Sequence, residues 1–132
     1  MSNIEKGLPK SKIVVIGDNE KIEIKKLPLG KYAQLMLALK NMPTSVMSEL
    51  QAIDTTDNDA TIQTLFGLFG QAWGQILEII SIGSGIDADR LENDEAIGLD
   101  GGVELLLAIY EVNNLDKVIA QVKNAINRSA KK

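Results

Sequence analysis

The apolar period of this chain changes once, at Leu27-Pro28-Leu29-Gly30, and that change constrains the fold more than any other feature. Before it, apolar residues alternate. Lys12 to Ile16 (KIVVI) is a short β-branched run, and in Lys21 to Lys26 (KIEIKK) Ile22 and Ile24 share one face. Gly17-Asp18-Asn19-Glu20 lies between them as a turn cluster, so 12–26 reads as a β-hairpin. A lone hairpin is marginal in water, so it must pack on the rest of the chain or pair with another edge. After the change, apolar residues recur at three and four, the helical period. The 132 residues suffice for one domain with a sizeable core and no covalent staple.

Tyr32, Leu35, Met36 and Leu39 mark the inward face of a first helix from Lys31, which Asn41-Met42-Pro43 ends. A second helix runs to Ile53, with Thr44 or Ser45 as its cap and Val46, Met47, Leu50 and Ile53 inward. After the polar loop 54–59, Asp59 is placed to cap a long central helix. Ile62, Leu65, Phe66, Phe69, Trp73, Ile76, Leu77 and Ile80 form one face of that helix, which continues to Ile82. Gly67, Gly70 and Gly74 fall on the opposite face, as a close approach of another backbone would require. Trp73 is expected in the core, with a partner anchor as the other reading. SIGSG (81–85) stops the helix, 86–95 can form one capped turn from Asp87, and Gly98-Leu99-Asp100-Gly101-Gly102 reads as a flexible break. Two final helices cover 103–112 and 115–128, the last with Val118, Ile119, Val122, Ala125 and Ile126 on one stripe. The expected fold is therefore mainly α. A leader (1–11) and the hairpin (12–26) precede a compact bundle of about five helices (27–128) and a polar tail (129–132).

The composition limits the chemistry. There is no cysteine and no histidine, which removes thiol catalysis, Cys-based zinc sites and the usual neutral-pH acid–base. Any enzyme would rely on carboxylates, lysines, hydroxyls and amides, and the expectation is a protein that is not an enzyme and uses no cofactor or metal. Asp54, Asp57 and Asp59 imitate a calcium loop but lack its glycine at position six. The acidic run Asp87, Asp89, Glu92, Asp94, Glu95 has no phosphate loop beside it, so a solvated face or a patch for a basic partner is favoured over a magnesium site. With net charge −4 and no basic stripe, nucleic acid is not expected as a partner. Residues 1–11 lack an apolar signal region, and the apolar stretch 62–82 contains Glu78 and three glutamines, so neither export nor a membrane is expected. The expected location is the cytoplasm.

KIEIKKLPLGKYAQLMLALKNMP (21–43) and GLDGGVELLLAIYEVNNLDKVIAQVKNAI (98–126) resemble the tail assembly chaperones of long-tailed, siphovirus-type bacteriophages. The first is similar to that family's strand-to-helix junction, the second to its C-terminal helical pair. The resemblance implies an assembly factor, absent from the virion, in the host cytoplasm. It would bind the tape measure protein, keep that protein's apolar helices soluble and help recruit major tail tube subunits. Self-association is left open. Within the last helical pair, Tyr110, Val118, Val122 and Ile126 are the candidate partner-binding residues, with core filling as the alternative for each. Two other classes compete. One is a structural tail or connector component retained in the virion, the other a carboxylate enzyme using 87–95 with a divalent ion. The resemblance also implies a longer form made by ribosomal frameshifting. Ala130-Lys131-Lys132 can be encoded with a slippery A AAA AAG, in keeping with a chain whose only arginines are Arg90 and Arg128.

Overall fold

A computed structural model describes residues 11–53 and 58–130. Helices make up 70% of the structure, behind one N-terminal antiparallel hairpin, so the chain is mainly α as its periodicity indicated. Strands β1 (Ser11–Ile16) and β2 (Glu20–Lys25) pair from Ser11↔Lys25 to Ile16↔Glu20. The strand thus begins at Ser11, inside the stretch read as leader, while residues 1–10 lie outside the described part. The three-residue loop needs Gly17 at φ +60°, and its N–H donates to the Ala96 carbonyl at 3.0 Å. Alternation sends Val14, Ile16 and Ile24 into the core and leaves Ile13 and Val15 on the solvent side.

Seven helices follow among the described residues, where about five were expected. They are α1 (Leu29–Lys40), α2 (Thr44–Gln51), α3 (Asn58–Gln71), α4 (Trp73–Ser84), α5 (Ala88–Asn93), α6 (Gly98–Val112) and α7 (Leu115–Ala130). Two differences account for the larger number. The single helix expected over 62–82 is two helices bent by 114° at Ala72, whose φ −141° and ψ 45° leave the helical region. The physical reason lies in the width of its apolar surface. Leu65 and Leu68 of α3 and Ile76, Ile79 and Ile80 of α4 are all buried, and one straight rod in so small a domain cannot bury both sets. Gly70 and Gly74 flank the break and lower the cost of making it there. The second difference is α5, the acidic turn counted as a helix. Asp87 occupies its N-cap position without a side-chain capping bond.

The expected break at 98–102 is also absent. Gly98, at φ +58°, turns the chain into α6, and Leu99 to Gly102 form its first turns. A Cβ added to Gly101 would lie 3.2 Å from Ile97 Cγ2 and 3.4 Å from Ile16 Cγ2, so the glycine lets the hairpin settle on the helix. Packing there outweighs the poor helix propensity of glycine. α6 is the centre of the molecule. It packs against both strands, α4 and α7, and buries Leu105, Leu106, Ala108, Ile109 and Val112. α1 lies across α4 and α7, and α2 joins α7 to α3.

Several local expectations change. Pro43, rather than Thr44 or Ser45, is the N-cap residue of α2, and no side chain caps that helix. α3 already includes Asn58, so Asp59 lies in its first turn. The calcium-loop candidates Asp54 and Asp57 lie outside the described residues, as do Lys131 and Lys132. Gly67, Gly70 and Gly74 face no neighbour within 4 Å of an added Cβ, so no backbone approaches them. The close approach occurs at Gly83, where an added Cβ would meet Ile109 Cδ1 at 2.6 Å. Asn113-Asn114 does end α6, and Asn114 is the one non-glycine at positive φ among the described residues.

Candidate partner-binding surface

α1 buries Leu35, Ala38 and Leu39 but turns two other large apolar side chains outward. Met36, expected in the core, is 40% exposed, and Leu37 is 59% exposed. These two, with Ala33 and Lys40, form one wall of a groove of about 490 Å³, and Val122, Ala125 and Ile126 of α7 form the other. From Ala33 to Lys40 the α1 wall runs about 11 Å at 1.5 Å per residue, so it matches about two turns of an incoming helix.

The two walls are held by polar ties beneath and beside them. The Asn113 side chain, buried where α6 turns into α7, accepts from the Leu27 N–H at 3.0 Å and from the Tyr32 hydroxyl at 3.1 Å. Its amide nitrogen donates to the Ile109 carbonyl at 3.3 Å. One side chain thus fixes the entry to α1 against the root of α7. On the far side of α7, Lys123 Nζ donates to Ser48 Oγ and Gln51 Oε1, both at 3.1 Å, fastening α7 to α2.

The four candidate contact residues separate. Val122 and Ile126 line the groove, with Val122 buried at its floor and Ile126 half-buried. Val118, one turn earlier, is half-buried against the core. Tyr110 is not at the groove. It is 6% exposed, and its hydroxyl donates to the Gln51 carbonyl at 2.8 Å. Burial, aided by the Asp116 charge, pushes its phenol up to about 12. Met36 and Leu37 are the groove residues that sequence reasoning missed. The helical period of α1 allotted Met36 to the core, and the adjacency of two large apolar residues to a buried stripe was the only signal for the second face.

Trp73 departs from the expected core position. It stands at the α3–α4 bend, 38% exposed, with Phe69 edge-on at 5.5 Å between centroids. Its indole N–H donates to Glu92 Oε2 at 3.3 Å. Together with Leu77, Ile80, Leu91 and Leu99 it lines a cleft of about 290 Å³.

The acidic run is organised by Arg90. Its guanidinium takes Asp94 Oδ2 at 2.9 Å and reaches across to Glu20 at the start of β2, with Nη1 to Oε2 at 3.0 Å. The hydrogen bond and charge of Arg90 hold both Glu20 and Asp94 below the ordinary carboxylate range. No three carboxylates among the described residues converge as a metal site would need. Among them, too, no single helix is long and apolar enough to cross a membrane. Comparison of the chain with protein-family models, curated proteins and solved structures yields no match.

Proposed function

We propose that this chain is a tail assembly chaperone of a long-tailed bacteriophage, and that the α1–α7 groove receives apolar helices of the tape measure protein. One observation carries the reading: every groove residue comes from the two segments that resemble the family. Ala33, Met36, Leu37 and Lys40 lie in 21–43, and Val122, Ala125 and Ile126 lie in 98–126. An amphipathic helix laid along α1 would cover Met36 and Leu37, in the helix-in-groove manner. The chain acts by binding alone, without catalysis or a cofactor, in the host cytoplasm. It holds the tape measure protein soluble while tail tube subunits are recruited. A frameshifted longer product would set a second binding module beside this one at high effective concentration.

Co-expression tests the reading. The tape measure protein is expected in the soluble fraction with the wild-type chain and in the pellet with Met36→Glu/Leu37→Glu. Equal insolubility with and without the wild-type chain removes the reading. The virion-component alternative has its own observation, the outward pair Ile13 and Val15 (60% and 48% exposed) on a strand that pairs only with β2 among the described residues. Strand addition would use that edge. Mass spectrometry of purified particles decides, since a chaperone is absent from them.

A further inference from the structure

The charges of this chain are segregated along it. Residues 41–116 hold fourteen carboxylates and one cation, Arg90; the remainder holds four carboxylates and thirteen cations. The fold keeps that single cation occupied, because Arg90 is shared between Glu20 and Asp94. None of the ion pairs among the described residues engages Glu92, Glu95 or Asp100. Glu92 and Glu95 stand on the rim of the Trp73 cleft, and Asp100 follows its wall residue Leu99.

The floor between those carboxylates is apolar. Trp73, Leu77 and Leu99 present hydrocarbon to the opening, and Leu99 is 47% exposed. Glu92 holds the indole by its N–H, which fixes the ring with its edge toward the acidic rim. The apolar strip continues along α3, where Ile62 and Phe66 precede Phe69 at helical spacing and are 38% and 51% exposed. A rigid aromatic anchor in an apolar cleft, rimmed by one sign of charge, is complementary to an apolar side chain flanked by the other sign.

We infer that the Trp73 cleft is a second docking site, taking a cationic amphipathic segment of a partner protein. One large apolar side chain of that segment would sit against Trp73 and Leu99, and its flanking lysines or arginines would meet Glu92, Glu95 and Asp100. The inference does not depend on the α1–α7 reading, since the two surfaces share no residue.

Trp73 is the sole tryptophan, so its emission reports this cleft alone. The probes are a short helical peptide of leucine and lysine and its counterpart with glutamate for lysine. The lysine peptide is expected to shift Trp73 emission saturably and to bind more weakly as salt is raised. Both Glu92→Lys/Glu95→Lys and Leu99→Ser should weaken it by about tenfold, the first through charge and the second through lost apolar contact. Leu37→Glu, in the other groove, should leave it unchanged. All these positions are exposed, and circular dichroism verifies that each variant is folded. Equal binding of the glutamate peptide overturns the inference, as does unchanged affinity in the two cleft variants. It is overturned equally if Trp73 emission shifts with protein concentration alone, together with faster sedimentation, which would assign the cleft to a second copy of the chain.

Discussion

Asn113 is the single buried polar residue among those described, at 2% exposure, and it sits where three elements meet. Its side chain serves the Leu27 N–H, the Tyr32 hydroxyl and the Ile109 carbonyl. Asn113→Ala leaves the Leu27 N–H without its acceptor and the Tyr32 hydroxyl with only the backbone carbonyl of residue 113, and should cost about 1–3 kcal/mol, read as a lower urea midpoint at unchanged slope. Glycine gives a second contrast at this scale. Gly83→Ala drives a methyl into Ile109 and should destabilise by about 1–3 kcal/mol. Gly67→Ala, in open space within α3, should stabilise by about 0.5–1 kcal/mol, since only helix propensity changes. Thermal unfolding of the two variants checks both signs. The sequence displayed Gly67, Gly70 and Gly74 as a pattern, yet within α3 and α4 the close-packed glycine is Gly83. Spacing within one helix shows which residues share a face, but the partner lying against that face is set by tertiary packing. Asn113 was legible only as a helix end, for the same reason.

At the scale of elements, the hairpin and the order of helices were readable because their periods are strong and their boundaries carry turn chemistry. The bend at Ala72 was not. A continuous apolar run with helical period fits a straight helix and a broken one equally, and only the size of the core decides between them. The acidic α5 gains its role from outside itself, through the Arg90 link to Glu20 that ties it to β2. Glu20 and Asp94 both titrate below their ordinary values of 4.5 and 3.8 when folded. The folded state therefore binds fewer protons than the unfolded chain in that acidic range. Their contribution is fully present above those ordinary values and is lost as pH falls through the lowered ones. Arg90→Met should unfold at a lower temperature at neutral pH and show a flatter loss of stability on acidification. The two proteins should converge at low pH. Thermal midpoints followed across that acid range report it, and parallel curves for variant and wild type would contradict it.

The whole molecule presents two separate apolar surfaces whose bordering charges differ in sign. The α1–α7 groove is bordered by Lys40, and the Trp73 cleft by glutamates. Half of the first surface was visible in advance. Val122 and Ile126 stood out on the amphipathic stripe of α7, whereas Met36 fell on the same apolar stripe as Leu35 and Leu39, and Leu37 was not singled out, because the sequence does not say which side of α1 is covered. Tyr110, equally apolar in its setting, is enclosed by α2 through Gln51. The central claim is that a tape measure helix lies between α1 and α7, and site-specific photocrosslinking during co-expression tests it most directly. A benzoylphenylalanine at Leu37 or Ile126 should crosslink to the tape measure protein, while one at Glu23, on the solvent face of the hairpin, should not. Crosslinking from Glu23 with none from Leu37 or Ile126 would contradict the account.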